Sequence, residues 1–422
     1  MQLFTLIFIF ALALSTLTRL WLASRQLNYV MARRDAVPSD FSGQIALDSH
    51  QKAADYTQAK TRLGILNILL ESALLLALTL GGGIQSLADL WLEWLPAWLD
   101  SELWRGVALI LSVLLISALI ELPLGWYRTF VIDARFGFNK MTLGLFLTDL
   151  LKQTLLGAAL GIPLLLGVLW MMGKMGEYWW LYVWLAWMAF NLLILSFYPT
   201  VIAPLFNKFS PLADPALASR IEALLTRCGF KSKGLFVMDG SKRSSHGNAY
   251  FSGFGASKRI VFFDTLLTRL DPEETEAVLA HELGHFKRRH VIKRIASLFV
   301  FSLAGLWLLG WLMPQDWFYQ GLGVQTQSTA SALLLFLLAS PVFTFLLHPL
   351  FSLISRKHEF EADRYAAEQV NGEALVRALV KLYNDNAATL TPDPLHSLFY
   401  DSHPPASQRI AHLTVMAKRC PK

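Results

Sequence analysis

Seven stretches of this chain are apolar along their whole length rather than on one face. They lie near residues 3–23, 63–84, 104–126, 152–172, 179–203, 295–313 and 331–354. Each is long enough to cross a hydrocarbon layer, which takes about 20 helical residues. In lipid a backbone must satisfy its own polar groups, so the pattern predicts seven membrane helices. The first stretch has no basic run ahead of it and no convincing small-residue cleavage site, and Arg19 interrupts its end. It reads as a retained helix rather than a signal peptide. The remaining chain is polar, and the expected organisation has four parts. Residues 1–203 carry five membrane helices joined by basic loops, and 204–294 form a first polar segment. Residues 295–354 carry two more helices, and 355–422 form a second polar segment.

Composition agrees with this pattern. Hydrophobic residues make up 54% of the chain and charged residues 16%, against about 25% charged in soluble domains. The charges also sort by loop. Residues 24–62 hold Arg25, Arg33, Arg34, Lys52, Lys60 and Arg62, while 85–103 hold no Lys or Arg. Residues 127–151 carry Arg128, Arg135 and Lys140, 204–294 are strongly basic, and 314–330 again have no Lys or Arg. Basic loops face the cytoplasm, so both polar segments are expected on that side and can share one site. The net charge of +6 has no accompanying RNA- or DNA-binding motif, and no nucleic-acid partner is expected. Two cysteines, Cys228 and Cys420, cannot make a disulfide framework or a thiolate metal cage. No internal repeat of the kind many transporters carry stands out.

Some residues inside the apolar stretches are polar. Glu71, Glu121 and Asn191 are costly to turn toward lipid, and either a water-lined chamber or helix-packing hydrogen bonds would account for them. Pro123, Pro163, Pro341 and Pro349 are expected to kink their helices. Trp91, Trp94, Trp98 and Trp104, with Trp179 and Trp180, suit interfacial belts or loop cores.

The chemistry concentrates at His281-Glu282-Leu283-Gly284-His285. Asp271 is a good N-cap, Pro272 suits a first helical position and Glu274 completes a capping-box pattern, so a helix should begin about ten residues before the motif. Histidines four apart share a helix face and can grip one metal ion, while Glu282 beside them can act as a general base without being a ligand. Gly284 inside the helix implies close approach of another backbone, or is simply tolerated. A zinc site with three protein ligands and one open position needs a third ligand. Glu359 in His358-Glu359-Phe360-Glu361-Ala362-Asp363 supplies it. Asp363 shares its helical face and could hold a ligand histidine by its other ring nitrogen, whereas Glu361 points elsewhere. His290 competes as a ligand, but five residues of helix turn it away from the metal face. His358 is read as packing or solvated.

Two further stretches look like substrate machinery. Asn248-Ala249-Tyr250-Phe251-Ser252-Gly253-Phe254 precedes Lys258-Arg259-Ile260-Val261-Phe262-Phe263, a short strand pair joined by a small-residue turn. It is either an ordinary hairpin or an edge able to pair with an extended peptide. His403, before Pro404-Pro405 and Arg409, could donate to an oxyanion or could be a loop histidine ahead of a last helix.

Taken together, the seven spans, Phe136-Gly137-Phe138-Asn139-Lys140, Asn248-Ala249-Tyr250-Phe251, the HELGH motif, Glu359 to Asp363 and Ser402 to Arg409 follow one order along the chain. In this the chain resembles the CAAX prenyl protease 1 family of integral-membrane zinc metallopeptidases. The resemblance implies a mostly α, polytopic protein. Its seven transmembrane helices would form a chamber, with a cytoplasmic α+β zincin-like catalytic domain at one end. It implies one zinc per chain held by His281, His285 and Glu359, with Glu282 as the base. Asp363 would stand behind the ligands. Asn248, Ala249 and Tyr250 would contact substrate, His403 the substrate or transition state, and Arg409 would assist near the site. The expected partners are membrane lipid and a peptide or protein, lipidated where the CAAX activity holds. The expected location is a bacterial inner membrane, or the endoplasmic reticulum in a eukaryotic host, with catalysis on the cytoplasmic side.

Overall fold

A computed structural model of the chain describes residues 2–252 and 258–419; Gly253, Phe254, the turn that joins the strand pair and Cys420 lie outside the described residues. The first half is almost entirely helical: α1 (Leu3–Met31), α2 (Leu47–Leu78), α3 (Gly83–Trp94), α4 (Glu102–Tyr127), α5 (Leu143–Lys174) and α6 (Trp179–Phe197). The short α7 (Ala203–Phe206) and α8 (Pro215–Arg227) follow. After a small sheet come α9 (Asp264–Leu267), α10 (Pro272–Lys287), α11 (His290–Leu312), α12 (Asp316–Gly321) and α13 (Thr329–Thr344). The chain ends with α14 (His348–Gln369), α15 (Gly372–Asp385), α16 (Pro394–Tyr400) and α17 (Ala406–Arg419).

Among the described residues, seven helical stretches are long and apolar enough to cross a membrane, and each overlaps one of the seven expected spans. Their ends differ from expectation for local reasons. The second begins at Leu47, because the polar residues ahead of the apolar run continue the same helix. It stops at Leu78 rather than 84, where Gly81-Gly82-Gly83 intervenes and Gly82 takes the left-handed φ of 77° that glycine tolerates. Apolar character alone counts those glycines as membrane residues; helix propensity ends the helix before them. The seventh continues past 354, since α13 runs through one 3-10 turn (Phe345–Leu347) into α14. The last span and the helix bearing Glu359 are therefore one rod.

Pro123, Pro163 and Pro341 lie inside α4, α5 and α13, but Pro349 opens the first turn of α14, where a missing N–H costs nothing. Trp94 and Trp98 are exposed, whereas Trp179 is buried and Trp180 packs on Gly310, so this last pair belongs to helix packing. Glu71 pairs with Arg19 at 2.8 Å and, with Glu121, Ser117 and His348, faces a cavity of about 390 Å³ between the apolar helices. The pairing offsets the cost of ionisable groups at that depth. Asn191 bonds only Trp187 O of its own helix, at 2.7 Å, among its described hydrogen bonds.

Beyond the apolar helices lies a second core. The sheet has the order β1-β2-β4-β3, from β1 (Phe209–Pro211), β2 (Leu235–Met238), β3 (Ala249–Ser252) and β4 (Arg259–Phe263). β2 and β4 run parallel, and the other two pairings are antiparallel. Leu217, Ile221, Leu224 and Leu225 of α8 fall on one helical stripe. They pack with Ile260, Phe262, Leu279, Ala366, Leu375 and Leu413, so the two polar segments fold as one body. Burying each large apolar side chain contributes about 1.5–3 kcal/mol.

The Phe136–Lys140 stretch ties this body to the apolar helices. Phe138 stacks on His246 at 4.5 Å, Ser245 N donates to Phe138 O at 3.1 Å and Asn139 bridges Ser244. Arg243 reaches Asp149 of α5 at 2.7 Å and the Asn207 side chain at 2.6 Å. These contacts anchor the segment leading into β3.

Candidate metal centre

The metal-binding face begins with a well-made helix start. Asp271 accepts from Glu274 N at 2.9 Å while Glu274 accepts from Asp271 N at 3.0 Å, the reciprocal capping box its sequence predicts. That fixes the phase of α10. His281 and His285 emerge one turn apart, with their Nε2 atoms 3.2 Å from each other. α10 packs along α14. Gly284 lets it do so: a Cβ there would stand 2.8 Å from Ala362 Cα. This close approach delivers Glu359, whose Oε2 lies 3.4 Å from His281 Nε2 and whose Oε1 lies 3.2 Å from His285 Nε2.

Several observations test whether these residues fit a metal. One ligand atom from each of His281, His285 and Glu359 lies within 4.8 Å of the others. Separations near 3.3 Å are what ligand atoms about 2.0–2.1 Å from a tetrahedral ion require. Glu359 Oε2 is buried with no hydrogen-bond partner among the described residues, and the Arg409 guanidinium approaches it only to 3.6 Å, a costly state for a carboxylate oxygen that a bound cation would relieve. Two imidazole nitrogens with one carboxylate oxygen suit zinc. The site fits.

The outer contacts fix the rings. With Nε2 turned inward, His281 carries its proton on Nδ1 and donates it to Asp363 Oδ1 at 2.8 Å. Arg409 clamps that same carboxylate, Nε to Oδ2 at 2.9 Å and a terminal nitrogen to Oδ1 at 2.6 Å. Its remaining approach to His281 Nδ1, at 3.3 Å, is a contact between two donors. Arg409 also stands 3.6 Å from Glu359. It is buried behind the ligands, near the site as expected, with its guanidinium shared between Asp363 and Glu359. Glu282 is half-buried next to this face. Burial pushes its carboxyl above the usual range, with the opposing pull of His281 and His285 next in weight.

The other expected residues lie around this centre. His403 is mostly exposed; its Nε2 stands 3.5 Å from Glu359 Oε1, and its Nδ1 is 2.9 Å from Ser402 Oγ. β3 is an edge strand of the sheet and packs beside α10. At its head Asn248 is exposed, with its Oδ1 accepting from Ala249 N at 2.9 Å. Ala249 is buried, and the Tyr250 hydroxyl turns to Met238 Sδ at 3.9 Å. His358 stacks on His290 at 3.9 Å. His290 itself is not turned away: its Nδ1 meets His285 Nδ1 at 3.0 Å. Sequence reasoning weighed it only as a ligand, and the histidine five positions after HELGH was the signal available.

The comparisons with known proteins agree along the whole chain. Residues 26–208 match the family model described as CAAX prenyl protease N-terminal, five membrane helices, and residues 211–417 match that of peptidase family M48. The CAAX prenyl protease 1 homolog of Arabidopsis thaliana is 37% identical over 74% of both chains. The CAAX prenyl protease 1 of Saccharomyces cerevisiae is 36% identical over 72% of this chain and 71% of its own. The crystal structure of S. mikatae Ste24p superimposes with a TM-score of 0.90 at 30% identity, covering 98% of this chain and 99% of that one. The chain belongs to peptidase family M48. It is a multi-pass integral-membrane metallopeptidase, of a family that depends on zinc in general.

Proposed function

We propose that the chain holds one zinc ion on His281, His285 and Glu359. In this reading it hydrolyses peptide bonds of an extended, lipid-modified polypeptide lying along β3. The observation that carries this is the convergence of two inward Nε2 atoms and a buried carboxylate oxygen that lacks a hydrogen bond, beside Glu282. Bound zinc polarises a peptide carbonyl and lowers the pKa of water to about 7. The protein's own groups do the rest. Glu282, whose burial favours a shared proton, takes a proton from the attacking water and passes it to the leaving amine. His403, across the site from α10, donates to the developing oxyanion. β3 offers unpaired backbone groups that hold the substrate extended, with Asn248 at its head and Tyr250 along it. Asp363, held by Arg409, keeps the His281 ring in its inward tautomer.

The basic loops support a cytoplasmic position for 204–294 and 355–422, in a bacterial inner membrane or an endoplasmic reticulum. The lipid-modified substrate class rests on the relatives named as CAAX prenyl proteases and on the apolar helices that lead to the site. The test is cleavage of a farnesylated CAAX peptide and its unprenylated copy by detergent-purified protein, with and without chelator and in Glu282→Gln. Chelator-sensitive cleavage that favours the lipidated peptide is expected. Equal cleavage of both would replace the lipid-modified class by general membrane-protein substrates, and cleavage by a zinc-loaded Glu282→Gln would remove Glu282 as the base.

A further inference from the structure

His285 has an outer support that differs from that of His281. The geometry points to His290 and Glu361 as a positioning pair that orients His285 toward the metal; the inference rests on the ligand set proposed above.

An uninterrupted α10 would carry position 290 about 140° around the helix from His285. Instead α10 ends at Lys287, and Arg289 adopts a left-handed φ of 56° before α11 starts at His290. A non-glycine residue is uncommon there, and such strain persists where its surroundings demand it. The reversal returns His290 to the site, where it is buried at 4% exposure. Its Nδ1 lies 3.0 Å from His285 Nδ1, and its Nε2 lies 3.0 Å from Glu361 Oε2. His358 stacks over its ring at 3.9 Å and 12°, holding the plane.

The proton arrangement follows from these contacts. With Nε2 turned to the metal, His285 carries its hydrogen on Nδ1 and donates it outward. His290 must then accept on Nδ1 and carry its own hydrogen on Nε2, which it donates to the Glu361 carboxylate. A neutral His290 in the Nε2–H form satisfies all three groups, and the opposite tautomer sets two N–H groups against each other. The carboxylate thus supports His285 through one intervening imidazole, where Asp363 supports His281 directly. Glu361 neither faces the metal ligands' shared point nor belongs to the ligand set. Its partner on α11 accounts for its different direction from Glu359 on α14.

The test is zinc affinity by chelator competition on the full-length, detergent-purified protein, together with the visible spectrum of the cobalt-substituted site. His290→Ala is expected to weaken zinc by about 10–100-fold, the usual cost of losing an outer hydrogen-bond partner, and to alter the cobalt bands. His290→Asn, which keeps an acceptor near Nδ1, should recover part of the affinity and the spectrum. Glu361→Gln should fall between wild type and His290→Ala. The unfolding midpoint of the metal-free protein separates a positioning role from general destabilisation, and it should not move in His290→Asn or Glu361→Gln. Should His290→Ala not fold, these two variants carry the test. Wild-type affinity and spectrum in the folded His290 and Glu361 variants, alongside lost metal binding in His285→Ala, would overturn the pair alone. Retained binding in His285→Ala would remove the ligand assignment first.

Discussion

The two sides of the metal-binding face solve one problem differently. On the His281 side the supporting carboxylate, Asp363, is fully buried and gripped by two nitrogens of Arg409. On the His285 side the carboxylate, Glu361, is 31% exposed and acts at one remove, through His290. A buried ion pair is a brittle support, because losing one partner strands the other charge away from water. A partly exposed carboxylate is weakly coupled to stability, since water replaces what the protein loses. The first side couples the metal centre to the fold of the catalytic body. The second couples it to the start of α11, one of the apolar helices.

Five substitutions probe this contrast. Glu282→Gln touches neither support and should lower peptide cleavage by about 10²–10⁴-fold with zinc content unchanged, as read by turnover and metal analysis on one sample. Arg409→Ala leaves Asp363 buried without its guanidinium and should cost about 3–5 kcal/mol in thermal or denaturant unfolding; Glu361→Gln should cost less than about 1 kcal/mol. Comparable losses from the two would erase the distinction between the sides. Gly284→Ala places a Cβ 2.8 Å from Ala362 Cα and should cost about 1–3 kcal/mol. By separating α10 from α14 it should also weaken zinc binding, which chelator competition would show. The smallest effect is expected from Arg289→Gly. Relief of about 1–2 kcal/mol of left-handed strain is offset by about 0.5–1 kcal/mol of added chain entropy. A stability loss larger than about 1 kcal/mol, the full entropy term, would mean that the Arg289 side chain itself holds the reversal.

Much of the centre was legible along the chain because its signals are local. The spacing of His281 and His285, the Asp271–Glu274 cap and the shared face of Glu359 and Asp363 all follow from helical periodicity. The seven apolar runs were equally plain. His290 stays outside the ligand set as expected, but its place behind His285 was missed for the same reason. A periodicity argument assumes that the helix continues, and no glycine or proline marks the break at Arg289. Arg409 was expected to work near the site, but its burial behind Asp363 depends on how α17 packs against α14 and α15, which no local pattern encodes. The strand pair was visible, yet its edge position required β2, which precedes the pair, to take the other side of β4.

The sequence by itself determined the seven apolar helices, the phase of the HELGH helix and the kind of metal its residues suit. Lipid imposes the first, and the 3.6-residue turn with the chemistry of imidazole and carboxylate imposes the others. Only the tertiary structure decided which carboxylate supports which histidine and which strand stands at the edge. Those outcomes depend on close packing between segments tens of residues apart, where Gly284 meets Ala362 and a single left-handed residue turns His290 back toward His285.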